Sequence, residues 1–205
     1  MAINHKDAQA PQGLKTFKAP AGTTFSQPST FTLVRAESPA PCVMTDLKQV
    51  TAATIGPDAT LAQATQTMIQ RGVRLLLVVS RDDEVLGLIT ARDTQGEKPI
   101  QLIQERGGQF TDLLVADVMC PRERIELVDG ADVLRATVGD IVETLKHTKR
   151  QHALVGERDP VSGQVRIRGI FSATQIGRQL GAAIQTFDVS STFTEIEGLL
   201  AQDNV

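Results

Sequence analysis

From Met44 onward the apolar positions switch between two periods, and the switch marks out a unit that occurs twice. In the first copy, Pro57-Asp58-Ala59-Thr60 leads into LAQATQTMIQRG. Thr60 stands where an N-cap is wanted, Gln63 takes the capping-box position, and Gly72 supplies the positive φ that ends a helix. Leu61, Ala64, Thr65, Met68 and Ile69 recur at helical spacing and predict one inward stripe. Arg74-Leu-Leu-Leu-Val-Val79 follows, too continuously apolar for a half-exposed strand, and so predicts a central one. Ser80 to Glu84 form a polar turn, short enough that Val85-Leu-Gly-Leu-Ile-Thr90 must return antiparallel as a hairpin.

The second copy repeats this order. Thr137 caps VGDIVETLK with Asp140 three positions on, Ala153-Leu154-Val155 is the strand, Gly156 to Gly163 the turn, and Val165 to Ser172 the partner strand. Fourteen positions separate the capping threonine from the polar residue opening the first hairpin strand in both copies, Thr60 to Arg74 and Thr137 to Gln151. Gly87 to Thr90 matches Gly169 to Ser172, and Met44 and Met119 mark matching starts. A helix and a hairpin with one apolar face cannot close a core alone, so the two copies must pack on each other.

The remaining segments frame these repeats. Residues 1–40 hold Pro11, Pro20, Pro28 and Pro39 without a sustained period and read as an extended arm whose segment Thr30 to Val34 adds an edge strand or packs across the body, with a disordered tail as the rival reading. The first repeat occupies 41–95, a connecting segment with a helix near Pro99 occupies 96–115, and the second repeat occupies 116–181. A helical tail fills 182–205, with Thr192 to Glu195 reading as its capping box.

Composition narrows the function. The chain has no Trp or Tyr and only 7 Phe, which removes the aromatic platform that single-stranded nucleic acid needs. Its net charge is −3, from 21 basic and 24 acidic residues, against the strongly basic surface of nucleic-acid binders; Lys146 to His152 reads as a solvated cluster at a helix end. Neither a signal core nor a membrane-length apolar run is present, and Cys42 and Cys120 form neither a redox CxxC nor a zinc set. The expectation is a cytoplasmic protein with two reduced thiols, read as occupying matching positions packed near the centre of the module. His147 and His152 are five apart, not at metal-binding spacing, and no nucleophile elbow, phosphate loop or dinucleotide fingerprint occurs. The chain is therefore expected not to be an enzyme and to carry no catalytic cofactor or metal.

Gly87-Leu-Ile-Thr90-Ala-Arg92-Asp93 is the segment richest in chemistry. Thr90 can donate to an anion beside free helical amides, Arg92 can neutralise phosphate, and Asp93 can accept two hydrogen bonds from a ribose diol. Equally, Thr90 and Asp93 can simply cap their own helix, and spacing alone leaves both readings open.

The repeats resemble the paired CBS domains (cystathionine beta-synthase domains) of a Bateman module, over about residues 44–180. The first copy carries GLITARD, the PDATL helix opening and the GVRLLLVV strand; the second reads GIFSATQ, with Gln175 in place of the ribose-binding Asp. The resemblance implies an α/β (α+β) fold, a tandem CBS-domain pair of two β-α-β-β-α repeats packed pseudo-symmetrically, and a homodimer. It implies a regulatory module that binds AMP, ADP, ATP or S-adenosylmethionine between repeats. By motif position, Thr90, Arg92 and Asp93 would hold ribose and phosphate in one site, with Thr54 and Leu76 near its base. Ser172 and Gln175 would serve the other, with Ala153 near its base, and Arg74 and His152 are further candidates at the strand mouths. The competing reading is a nucleotide-free dimeric scaffold whose arm and C-terminal helix hold a protein partner.

Overall fold

The computed structural model describes residues 16–25, 34–181 and 189–202. Residues 16–25 belong to a separate unit, Met1–Phe31, and contain a turn closed by Thr23, whose amide and hydroxyl donate to the Pro20 carbonyl at 3.2 and 2.6 Å. The second unit is Thr32–Val205. Its elements are β1 (Thr45–Asp46), β2 (Thr54–Ile55), α1 (Leu61–Arg71), β3 (Leu75–Val79), β4 (Val85–Thr90), α2 (Ala91–Gln95), α3 (Glu97–Arg106), α4 (Val115–Val118) and β5 (Cys120–Pro121). They continue as β6 (Leu127–Asp129), α5 (Gly130–Val133), α6 (Val138–His147), β7 (His152–Arg158), β8 (Val165–Ser172), α7 (Ala173–Gln179) and α8 (Val189–Gln202).

The local chemistry read from the sequence places the main helices. Thr60 and Gln63 form a reciprocal capping box, with Gln63 N on Thr60 Oγ1 at 3.2 Å and Thr60 N on Gln63 Oε1 at 2.8 Å. Gly72 closes α1 at φ 64°, and Thr137 and Asp140 repeat the box on α6. Of the expected inward stripe, Leu61, Ala64 and Met68 are buried, whereas Ile69 is 69% exposed. Ile69 therefore lies off the stripe: the helix turns its core face through i, i+3 and i+7.

Two four-stranded sheets form, ordered β2-β3-β4-β5 and β1-β8-β7-β6. In each, a short strand runs parallel to the first hairpin strand, β2 on β3 and β6 on β7. The outer antiparallel strand of each sheet is contributed by the other repeat. β1 pairs with β8 (Thr45↔Ile170, Asp46↔Gly169), and β5 pairs with β4 (Cys120↔Leu88, Pro121↔Gly87). The segments just before these strands are exchanged as well. Ala40 N and Val138 N bond Ala136 O and Ser38 O at 2.9 and 2.8 Å, while Val115 N and Leu61 N bond Ala59 O and Leu113 O at 2.8 and 3.3 Å.

Residues 34–40 are thus built into the second repeat, as residues 113–116 are built into the first. Thr30 to Leu33 of the expected edge strand lie outside the described residues, and Val34 is not in a strand. Thr192 lies inside α8, so the helix is not capped there.

The two sheets face each other. On β3, Leu76 and Val78 enter a helix-side core with Leu61, Ala64, Met68 and Ile89, while Leu75 and Leu77 meet Leu154 in a layer between the sheets. Both faces of β3 are buried, which is why its sequence shows no alternation. The second repeat has its own helix-side core around Leu145, Val155, Phe171 and Ile176, closed by Phe193 and Ile196 of α8. Cys42 is exposed and Cys120 half-buried; strand register places Cys120 opposite Thr45 in the repeat, not Cys42. The two thiols are therefore not matching central positions.

Candidate functional site

The exchanged strands leave a cleft on either side of the inter-sheet layer, and each cleft takes its walls from both repeats. At the end of β4, Ala91 N bonds Arg74 O at 3.0 Å, and at the end of β8, Ala173 N bonds Gln151 O at 2.9 Å, so each strand-to-helix corner is pinned to its own hairpin. The first corner presents Thr90, whose amide and hydroxyl both donate to Asp93 Oδ2, at 2.8 and 2.7 Å. The carboxylate holds the helix start at the cleft wall, which is the capping geometry that the spacing of this segment allows. Because α2 has only five residues, its helix dipole adds little to anion binding.

The first cleft has a volume of about 430 Å³. Its apolar floor is Leu75, Leu88, Ile125 and Leu154. Thr90, Arg92 and Asp93 stand on the first repeat's side, and Glu126, Lys149, Arg150, Gln151 and His152 on the second's. Five basic side chains, Arg92, Lys98, Arg124, Lys149 and Arg150, line it against two carboxylates, Asp93 and Glu126. Arg150 pairs with Glu126 at 3.0 Å, and Lys98 Nζ donates to the carbonyls of Val118 and Met119. Arg92, Arg124 and Lys149 make no ion pair with a carboxylate among the described residues. On a chain of net charge −3, this concentrates positive potential at one mouth.

The second cleft, about 300 Å³, is its repeat-related counterpart. Ser172 and Gln175 replace Thr90 and Asp93, and Gly72 to Leu75 replace Lys149 to His152. Gln175 Oε1 accepts a 3.4 Å hydrogen bond from Thr45 Oγ1 on the exchanged strand instead of holding its own helix start. His152 and Leu75 line both clefts. Burial of the imidazole, assisted by the Arg74 charge, pushes His152 down to about 4, so the ring is neutral at pH 7.

Thr90, Arg92 and Asp93 come together in the first cleft; Ser172, Gln175 and Arg74 come together in the second, with His152 between them. Leu76 does not line a cleft: it is fully buried in the helix-side core. Ala153 packs on the equivalent core of the second repeat for the same reason of strand parity. Thr54 lies in a third cavity of about 690 Å³ with Leu77, Val79 and Ile167, apart from Thr90. The residues facing the first motif are instead those of the other repeat, Glu126 and Lys149 to His152, and sequence reading missed Lys98, Arg124 and Glu126 entirely. One signal was available: the fourteen-residue offset aligns Lys149 to His152 with Gly72 to Leu75, but only the strand exchange shows which motif each run meets.

Among the described residues, no group of three or more His, Cys, Asp or Glu is placed to hold a metal, and no helix is long and apolar enough to cross a membrane. Two β/α repeats that exchange outer strands and enclose a cleft on each side of a shared layer define a tandem repeat module of the mixed α/β class. The CBS domain family model matches residues 43–94, which hold the first repeat, and the second repeat shows the same order of strands in its sheet. It is similar to an inosine-5'-monophosphate dehydrogenase of Methanocaldococcus jannaschii, 27% identical over 103 residues, covering 50% of this chain and 19% of that relative. The chain thus spans about a fifth of that enzyme's length. Among solved structures, an uncharacterized conserved protein from Pyrococcus horikoshii aligns with TM-score 0.50 and 17% identity, covering 75% of this chain and 99% of the other. The CBS-pair protein CBSX2 from Arabidopsis thaliana aligns with TM-score 0.47 and 17% identity over 69% of this chain and 92% of its own. CBSX2 has also been solved in complex with AMP, and that structure aligns with TM-score 0.46 and 17% identity over 69% of this chain and 94% of its own.

Proposed function

We propose that this chain is a regulatory module that senses an adenosine nucleotide in its first cleft. The observation that carries the reading is that Thr90 and Asp93 share one cleft with an apolar floor and a surplus of basic side chains drawn from both repeats. The floor suits a purine, Asp93 suits the ribose diol, and Arg92, Arg124 and Lys149 suit the phosphates. Surplus positive charge favours AMP, ADP and ATP over S-adenosylmethionine, whose sulfonium is itself cationic. A nucleotide touching both Thr90–Asp93 and Lys149–His152 would favour one spacing of the repeats, and that differential affinity is what a sensor requires.

Calorimetric titration of AMP, ADP, ATP and S-adenosylmethionine into the wild type and Asp93→Ala tests this. Saturable binding that weakens at least about tenfold in the variant is expected. Asp140→Ala breaks a Thr–Asp capping box of the same chemistry on α6, away from the cleft, so it controls for lost helix stability and should leave binding unchanged. Absence of heat and of any melting shift with all four ligands would end the nucleotide reading.

We read the module as non-enzymatic, since both cleft carboxylates are already engaged, Asp93 by Thr90 and Glu126 by Arg150. A homodimer is supported by the exposed apolar side chains of Ile69 on α1 and Ile100 on α3, 69% and 56% exposed. The free thiols of Cys42 and Cys120 suit a reducing, cytoplasmic setting. The second reading, a nucleotide-free scaffold that holds a protein partner, is favoured by one feature: Thr90 already satisfies Asp93 without a ligand.

A further inference from the structure

The second cleft is not a weaker copy of the first; its charges have been redistributed. Both carboxylates of the first cleft have neutral counterparts here: Gln175 stands where Asp93 does, and strand register puts Ala53 where Glu126 is. Its basic groups are also different. Arg74 occupies the Gln151 position and Arg178 the Gly96 position, so neither arginine has a basic equivalent at the first cleft. The lining therefore contains two guanidiniums, the hydroxyls of Thr45, Ser172 and Thr174, one amide and no carboxylate.

We propose that the second cleft binds a phosphate dianion, as inorganic phosphate or a small phosphomonoester, with Arg74 and Arg178 as its cationic clamp and Ser172 as a hydroxyl donor. Guanidinium groups present paired donors that match phosphate oxygens, and hydroxyls complete the shell. Without a carboxylate the cleft has lost the group that recognises a ribose diol, and its smaller volume, about 300 Å³ against about 430 Å³, fits the smaller ligand. The two arginines already feel each other: burial and the Arg178 charge hold Arg74 below its ordinary value, a repulsion that a bound dianion relieves. Arg178 makes no ion pair among the described residues. Thr174, 5% exposed in the cleft wall, has a hydroxyl without a hydrogen-bond partner.

The test titrates the full chain with inorganic phosphate and, separately, with glycerol phosphate, at constant ionic strength against chloride. One saturable site per chain is expected for at least one of the two, and whichever binds more tightly names the source. Arg178→Gln changes an exposed side chain and is expected to fold; it should weaken binding at least about tenfold. Gln175→Asp should weaken it by a similar factor, because the new carboxylate pairs with the guanidiniums. Asp93→Ala should leave phosphate binding intact, which separates this cleft from the nucleotide cleft, so either site can fail without the other. The proposal is overturned if neither phosphate shows saturable binding above chloride. Binding that survives Arg178→Gln, or that disappears in Asp93→Ala, overturns it as well.

Discussion

Met44 of the first repeat stands so close to Gly169 of the second that a Cβ on that glycine would lie 2.4 Å from the methionine sulfur. The mirrored contact sets Gly87 against Met119, with a would-be Cβ 3.0 Å from its sulfur and 2.5 Å from the Cys120 carbonyl oxygen. The glycine of each hairpin is thus required by the strand that arrives from the other repeat, and the two contacts hold the repeats in their crossed arrangement.

The two glycines should not tolerate alanine equally. At Gly169 the obstacle is a flexible thioether that can swing away, whereas at Gly87 it is backbone. Gly87→Ala is expected to lower unfolding free energy by roughly 2–3 kcal/mol and Gly169→Ala by about 1 kcal/mol, measured by urea denaturation. Equal effects would mean that the crossing strands move freely.

Charge at the first cleft should appear as salt dependence. The surplus of basic side chains predicts ATP binding more tightly than AMP by about tenfold at low salt, with the gap narrowing as the screening length shortens toward about 3 Å at 1 M. Lys149→Ala and Arg124→Ala should each reduce the ATP preference while changing AMP affinity less. A salt-independent ratio would place the phosphates elsewhere.

His152 sets an acid limb on stability. Its ordinary value is 6.5 and its folded value about 4, so the unfolded chain takes up a proton that the folded chain refuses. The folded state is unpenalised above about pH 6.5, loses stability as pH falls toward about 4, and levels off below. The loss should be on the order of 1–3 kcal/mol. His152→Gln should flatten this limb, and an unchanged pH profile in denaturant midpoints would show that the ring is hydrated.

The tail helix α8 should be structural. Ile196 is fully buried and Phe193 6% exposed in the second repeat's core, so Ile196→Ala is expected to remove about 2–4 kcal/mol of stability. The Lys146–Glu197 ion pair between α6 and α8 is half-exposed, and Lys146→Ala should change the denaturation midpoint by no measurable amount. If Ile196→Ala were silent as well, α8 would not be docked in solution.

Much of the fold was legible because its signals are local. Thr60, Gln63 and Gly72 define α1 within thirteen residues, Thr137 and Asp140 do the same for α6, and a five-residue turn forces the hairpin of β3 and β4. The Thr90–Asp93 corner was legible for the same reason. Parity on β3 and β7 was not, because a strand buried on both faces carries no alternation. Motif position in the resemblance puts Leu76 and Ala153 at a ligand, and no alternation in the sequence corrects it, whereas their neighbours Leu75, His152 and Leu154 are the ones that line a cleft.

By itself the sequence determined that a β/α unit occurs twice and that its first copy ends in a hydroxyl, a guanidinium and a carboxylate on one turn. Tertiary structure alone decided which repeat faces which motif. The exchange rests on β1 and β5, two residues each, whose pairing energy comes from contacts more than thirty residues away. No local pattern encodes such a pairing, because two residues show no period and the partner glycine matters only once the strand from the other repeat has arrived.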